Sequence, residues 1–294
     1  MAIDSLCIIG VGLIGGSIAA AARRAWPDLR LVGAAPAEDH DAIRTAGLGI
    51  ELHTEAEAAV DSLEGQAPAE RSLIVLATPP SVTLDLLPQL ARRSRAVLTD
   101  VCSVKQPIAA LAAGLTSPGR LVPGHPMAGS QHRGAGHASA ELFQGKPVVL
   151  TPRAETDPQA IELVEEFWRT LGARVVRMEA AAHDRAVARA SHGVHALAAV
   201  AARLLDGRED ATALASTGFG DTTRVAGGDA GLWADILLLN AEEVVLVLGE
   251  AAGHLQALQR AVERGDEQTL RLLLEEARQE RLRWLAARDA ASDA

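Results

Sequence analysis

The sequence has no tyrosine and only three phenylalanines, so it lacks the aromatic platforms on which single-stranded nucleic acids stack. No block of Lys or Arg is long enough to follow a run of phosphates, and the formal net charge of -10 repels polyanions. Nucleic acid is therefore not an expected partner. No apolar run reaches the roughly 20 residues that cross a bilayer, and "ADILLLNAEEVVLVLG", the longest candidate, carries two glutamates. The opening "MAIDSLCIIGVGLIGG" has no basic stretch before its apolar residues and is broken by glycines, so it does not read as a signal peptide. A cytoplasmic location without membrane contact is expected. Cys7 and Cys102 have neither a disulfide framework nor metal-ligand spacing, and both are expected to be small buried residues in strands.

A chain of 294 residues, 48% hydrophobic and 22% charged, has the composition of a globular protein and is long enough for two cores. Short apolar runs, "LCIIG", "LRLVGAA", "SLIVLATPP" and "AVLTDVCS", alternate with stretches of helical composition. This alternation predicts a parallel, doubly wound α/β sheet. "LVPGHP", "KPVVLTP" and "ARVVRM" add short strands, with a helix over "PQAIELVEEFWRTLG" closed by Gly172. After about Met178 only helical periodicity remains. The expected division is a Rossmann-type domain over residues 1–178 and an all-α domain over 179–294. Gly265 and Asp266 predict the stop of one helix and the N-cap of the last, whose apolar stripe includes Leu270, Leu274 and Trp284 and suits a core face or a subunit contact.

Gly10, Gly12 and Gly15 in "GVGLIGGS" form a G-x-G-x-x-G pattern between a strand and a helix. In that context the first glycine permits the turn, the second lets a pyrophosphate approach the backbone, and the third lets helix and strand pack closely. Dinucleotide binding is expected. The second strand lacks the acid that would hold a ribose hydroxyl, since Ala35 stands near that position, and Glu38 and Asp39 follow it. Two carboxylates would repel a 2′-phosphate, so NAD is favoured, with NADP left open.

"VLTDVCSVK" and "GHPMAGS" should both open at the carboxyl edge of the sheet, beside the nicotinamide end of a bound cofactor. There His125 can accept a proton at neutral pH, and Ser103 can orient a substrate hydroxyl. His125 lies between a glycine and a proline, which is read as holding the imidazole rigidly on a loop at the sheet edge.

Together "GVGLIGGS", "ATPP", "DVCSVK", "GHPMAGS", "HD...SHGVH" and "GFGDTTRVAGGDAGLW" resemble the prephenate (cyclohexadienyl) dehydrogenase family, over about residues 6 to 260. The resemblance implies a homodimeric enzyme of tyrosine biosynthesis that oxidatively decarboxylates prephenate to 4-hydroxyphenylpyruvate with NAD or NADP. It makes His125 the base that accepts the hydroxyl proton and Ser103 its hydrogen-bonding partner. Arg224 becomes the carboxylate ligand for a dianionic substrate, a role that a guanidinium suits. His195 is assigned to the substrate pocket, and Trp233 lies near the pocket across a subunit contact. Cofactor contacts are expected from Gly10, Gly12, Leu13, Ile14, Gly15, Ala35, Thr78, Pro79 and Ser103. Asp221 and Asp229 are expected to cap helices or to orient Arg224. No metal is expected: His192 and His195 lack a third ligand, and loop composition accounts for His132 and His137.

The sequence departs from the family pattern at three places. Gln131 replaces an acid, the strand-two acid is missing, and Gly193 and Val194 stand where Leu-Pro is common. A neutral Gln131 in the substrate site offers nothing to the ammonium group of arogenate and favours prephenate. Arogenate or an amino-substituted prephenate is the alternative substrate, and a dinucleotide sensor without turnover is a further alternative. β-Hydroxy acid dehydrogenases of similar plan depend on a lysine in the helical half, and no lysine follows Glu179. No chorismate mutase or regulatory segment is expected after Ala294, so tyrosine is expected to inhibit only by competition in the active site.

Overall fold

A computed structural model describes residues 3–63, 68–115, 117–129 and 132–292. Six strands form a parallel sheet: β1 (Ser5–Ile9), β2 (Arg30–Ala34), β3 (Glu51–His53), β4 (Ser72–Leu76), β5 (Val97–Asp100) and β6 (Leu121–Val122). Their order is β3-β2-β1-β4-β5-β6, so the winding reverses between β1 and β4. In a doubly wound sheet that reversal opens a crevice at the carboxyl ends of the strands. β1 and β4 are buried along their whole length, which explains their unbroken apolar sequences, because helices cover both faces.

The crossovers are α1 (Leu13–Ala25), α2 (His40–Thr45), α3 (Ala56–Leu63), α4 (Pro80–Arg93) and α5 (Gln106–Ala112). A smaller sheet holds β7 (Gly124–Pro126), β8 (Pro147–Leu150) and β9 (Arg174–Arg177), with β7 antiparallel to β8. α6 (Pro158–Thr170) lies between β8 and β9 in sequence. Its N-cap is Asp157, whose carboxylate accepts the Gln159 N–H, and it is closed, as expected, by Gly172 at φ +89°. One core lies on each face of the large sheet. Ile8, Ile18, Leu73, Phe143, Phe167 and Trp168 belong to one, and Cys7, Val60, Ile74, Leu87 and Ile108 to the other. Cys7 lies in β1, whereas Cys102, expected in a strand, lies just beyond β5; both are buried.

The remaining elements are helical: α7 (Ala180–Val187), a π turn (Ala188–His192), α8 (Gly193–Ala202), α9 (Glu209–Leu214), α10 (Thr217–Thr223), α11 (Ala230–Leu239), α12 (Ala241–Glu263) and α13 (Glu267–Ser292). By internal contacts the chain forms two compact units, residues 1–243 and 244–294. The first unit therefore contains both sheets and α7 to α11. In the second, Asp266 caps α13 by accepting the Thr269 N–H and hydroxyl, and Gly265 turns at φ +62°. Among the described residues no helix is long and apolar enough to cross a membrane.

Candidate active site

The turn after β1 is built by its glycines. Gly10 has φ +96°, and a Cβ there would lie 2.6 Å from the Ala77 carbonyl oxygen. A Cβ on Gly15 would stand 2.0 Å from the Gly10 oxygen, so the helix approaches the strand closely only without a side chain. Gly12 differs, because nothing lies within 4 Å of its Cβ position. Gly12 is the N-cap residue of the 13-residue α1, and no acid stands in the first turn. Open space before amide donors at the positive end of a helix fits a pyrophosphate.

This turn borders a cleft of about 660 Å³ within the first compact unit. Leu13 and Ile14 line it from α1, and Thr78 and Pro79 from the segment after β4. Ser103 enters from beyond β5 and His125 from β7, and the opposite wall includes Ser191, His192, Asp229 and Trp233. Thr78 Oγ1 pairs with Thr83 Oγ1 at 2.8 Å, fixing the loop that follows β4.

A buried network joins the Ser103 and His125 segments. Asp100, at the end of β5, accepts the backbone N–H groups of Cys102 at 2.9 Å and Gly124 at 3.2 Å. The Lys105 ammonium pairs with Asp100 and also donates to the Gly124 carbonyl at 2.6 Å. The "DVCSVK" segment is thereby clamped to the residue preceding His125. His125 itself sits within β7, not on the loop expected from its neighbours. Glycine suits position 124 because a Cβ there would lie 3.0 Å from the Asp100 backbone oxygen; β7 ends at Pro126, and the Met127 N–H beyond it donates to the Pro147 carbonyl at 2.8 Å.

Burial holds His125 well below the ordinary imidazole pKa, and the neighbouring His183 and Lys105 push it in the same direction. His125 is therefore neutral and able to accept a proton. Its Nδ1 lies 2.8 Å from His183 Nε2, and His183 Nδ1 lies 2.7 Å from Asp184 Oδ1. Adjacent His and Asp in "HD" were the only sequence signal for this chain, because the 58 residues between His125 and His183 hide the contact.

The other predicted residues divide. Trp233 lines the cleft and stacks on His195 with ring centroids 3.5 Å apart. His195 is buried by that stack and does not itself border the cleft, whereas His192, three residues earlier, does. Arg224 begins the short turn Arg224–Gly227, exposed and outside the cleft lining. The guanidinium bordering the cleft belongs to Arg133, paired with Asp229 at 2.7 Å, which the sequence reading missed. Asp229 also caps α11 through the Leu232 N–H, whereas Asp221 lies inside α10.

Ala35 is buried at the end of β2 and accepts from His40, with Glu38 and Asp39 exposed in the following turn. Gln131 lies outside the described residues. Among the described residues no group of three His, Cys, Asp or Glu is arranged to hold a metal ion; His132 and His137 stack on each other with centroids 4.6 Å apart.

Comparison with known proteins gives one consistent result. A family model for the nucleotide-binding domain of prephenate dehydrogenase matches residues 18–177, and one for its dimerization domain matches residues 179–276. The prephenate dehydrogenase of Bacillus subtilis is 32% identical over 275 residues, covering 91% of this chain and 72% of the relative. A cyclohexadienyl dehydrogenase of Zymomonas mobilis is 32% identical, covering 87% and 88% respectively. The crystal structure of prephenate dehydrogenase from A. aeolicus, in complex with hydroxyphenyl propionate and NAD+, superposes with a TM-score of 0.84 at 29% identity over 96% of this chain and 99% of that one.

Proposed function

The chain belongs to the prephenate dehydrogenase family, and from that premise we propose that it is an NAD(P)-dependent prephenate dehydrogenase, with NAD the favoured cofactor. The single observation that carries this reading is a neutral, buried His125 bordering a cleft that begins at an open glycine turn. Gly12, Leu13 and Ile14 would hold the pyrophosphate side of the dinucleotide, with Thr78, Pro79 and Ser103 leading toward its nicotinamide. A bound nicotinamide would supply the hydride acceptor for C4 of the substrate.

His125 takes the proton of the C4 hydroxyl as that carbon becomes a carbonyl, and the ring carboxylate leaves as carbon dioxide. Ser103 orients the hydroxyl toward the imidazole. Trp233 closes the wall opposite and, with the apolar residues beside it, excludes water from the developing ring. We assign Arg224 to a substrate carboxylate because its turn runs directly into Gly228, which borders the cleft. Arg133 adds a second guanidinium at the cleft wall.

The functional division falls at residues 178/179, and the helical part forms a homodimer. Support comes from the match of residues 179–276 to a dimerization domain and from apolar side chains left exposed on its helices, among them Leu238, Val245, Leu255 and Trp284. Such surface is uncommon on a protein that remains alone. A cytoplasmic location accords with this function.

Reduced-nicotinamide absorbance with prephenate or arogenate, each with NAD or NADP, tests the assignment. Turnover of prephenate with NAD is expected. Absence of turnover in all four mixtures would leave only a dinucleotide-binding protein of this family.

A further inference from the structure

Asp184 is wholly buried and makes hydrogen bonds in two directions. Its two carboxylate oxygens accept the backbone N–H groups of Lys105 at 2.8 Å and Gln106 at 2.7 Å. An ionised carboxylate is an acceptor only, so the proton between Asp184 and His183, 2.7 Å apart, resides on His183 Nδ1. With its single proton on Nδ1, the His183 ring carries a lone pair at Nε2, and the proton in its 2.8 Å contact with His125 belongs to His125 Nδ1. The lone pair of His125, a residue that borders the cleft, is left at Nε2.

The backbone of Asp184 acts on a second histidine. Its carbonyl accepts from Asn240 Nδ2 at 2.9 Å. Because a carbonyl cannot donate, this bond fixes which end of the Asn240 amide points inward. The same Nδ2 lies 3.1 Å from His192 Nδ1, so Nδ1 accepts and the proton of a neutral His192 sits on Nε2. That nitrogen is buried without a hydrogen-bond partner, and His192 borders the cleft. An unpaired buried donor is costly, and a substrate oxygen would satisfy it.

We propose that Asp184 is a positioning residue that gives the two cleft histidines opposite roles, making His125 a proton acceptor through His183 and His192 a hydrogen-bond donor through Asn240. The acceptor faces the hydroxyl to be oxidised, and the donor takes a carboxylate or carbonyl oxygen of the same substrate. A π turn, Ala188–His192, lies between the two arms; its wider helical turn changes the direction of the side chains that follow it, a feature frequent at functional sites. This inference rests on His125 being the base and adds what determines its available nitrogen.

Nitrogen-15 NMR of histidine-labelled protein reads the two tautomers directly, without turnover. The expected spectrum has a protonated Nδ1 and a pyridine-like Nε2 for His125, with the reverse for His192. The companion variants are His183→Leu, which removes the acceptor, and His183→Gln, whose amide oxygen can replace Nε2. His183→Leu should release the His125 tautomer and lower kcat about 10- to 100-fold at nearly constant KM, and His183→Gln should restore most of both. A protonated Nε2 on His125 in the unaltered protein overturns the proposal whether or not the variants fold. So does a His183→Leu protein with ordinary kcat and an unchanged His125 spectrum. Full activity in His125→Asn would instead remove the base assignment, while the tautomer spectrum would still decide what Asp184 imposes.

Discussion

The Lys105 ammonium is wholly buried against the Asp100 carboxylate and donates at the same time to the Gly124 carbonyl, one residue before His125. A buried pair is expensive to break from one side, because the remaining charge is left without compensation. Lys105→Met should cost about 3–5 kcal/mol of stability, with a lower thermal midpoint and weakened turnover. An unchanged midpoint would show that the clamp between the β5 and β7 segments is dispensable.

The glycine turn separates folding from binding. Gly12→Ala places its methyl group in open space, so the thermal midpoint should stay near that of the parent while dinucleotide affinity falls about tenfold or more, measured by titration calorimetry. Gly15→Ala drives a methyl group into the Gly10 carbonyl, 2.0 Å away, and should lower both. Equal affinity in Gly12→Ala and the parent would count against a pyrophosphate at this turn.

Acid should destabilise the fold through its buried histidines. Burial pushes His192 down to about 4 from the usual 6.5 and holds His125 well below that usual value. Between pH 6.5 and about 4 the unfolded chain binds protons that the native state refuses, so stability is full above this window and declines as pH falls through it. The thermal midpoint should drop from pH 7 to pH 5, and His192→Phe should lessen the drop. A midpoint independent of pH in this range would contradict the burial of these rings.

Gly228 supports the far wall. A Cβ there would lie 2.5 Å from Trp233 Nε1 and 3.4 Å from His195, so Gly228→Ala must displace an indole already stacked on His195. A rise in KM for prephenate, with dinucleotide affinity retained, is the expected result; unchanged KM would place the substrate away from Trp233.

The strand, turn and helix around Gly10 to Ala25 were legible because local rules suffice there: an apolar run, glycines at fixed offsets, and a helical composition. Gly172, Gly265 and Asp266 were legible for the same reason, as caps and stops act within a few residues. "LVPGHP" was legible as a strand, but the antiparallel pairing of β7 with β8 was not, since three residues with a glycine and a proline carry no signal for a partner. His183 escaped notice because its partner is 58 residues away, and the place of His192 at the cleft follows a π turn that helical spacing does not foresee. Arg133 had only an exposed loop around it in sequence, and its ion pair with Asp229 exists only after folding.

The central claim is that His125 removes the hydroxyl proton. His125→Asn, assayed with prephenate and NAD beside the parent, should keep dinucleotide affinity while kcat falls by roughly 10² to 10⁴, the range expected for loss of a general base. Turnover at the parental rate by a folded His125→Asn protein would contradict the account.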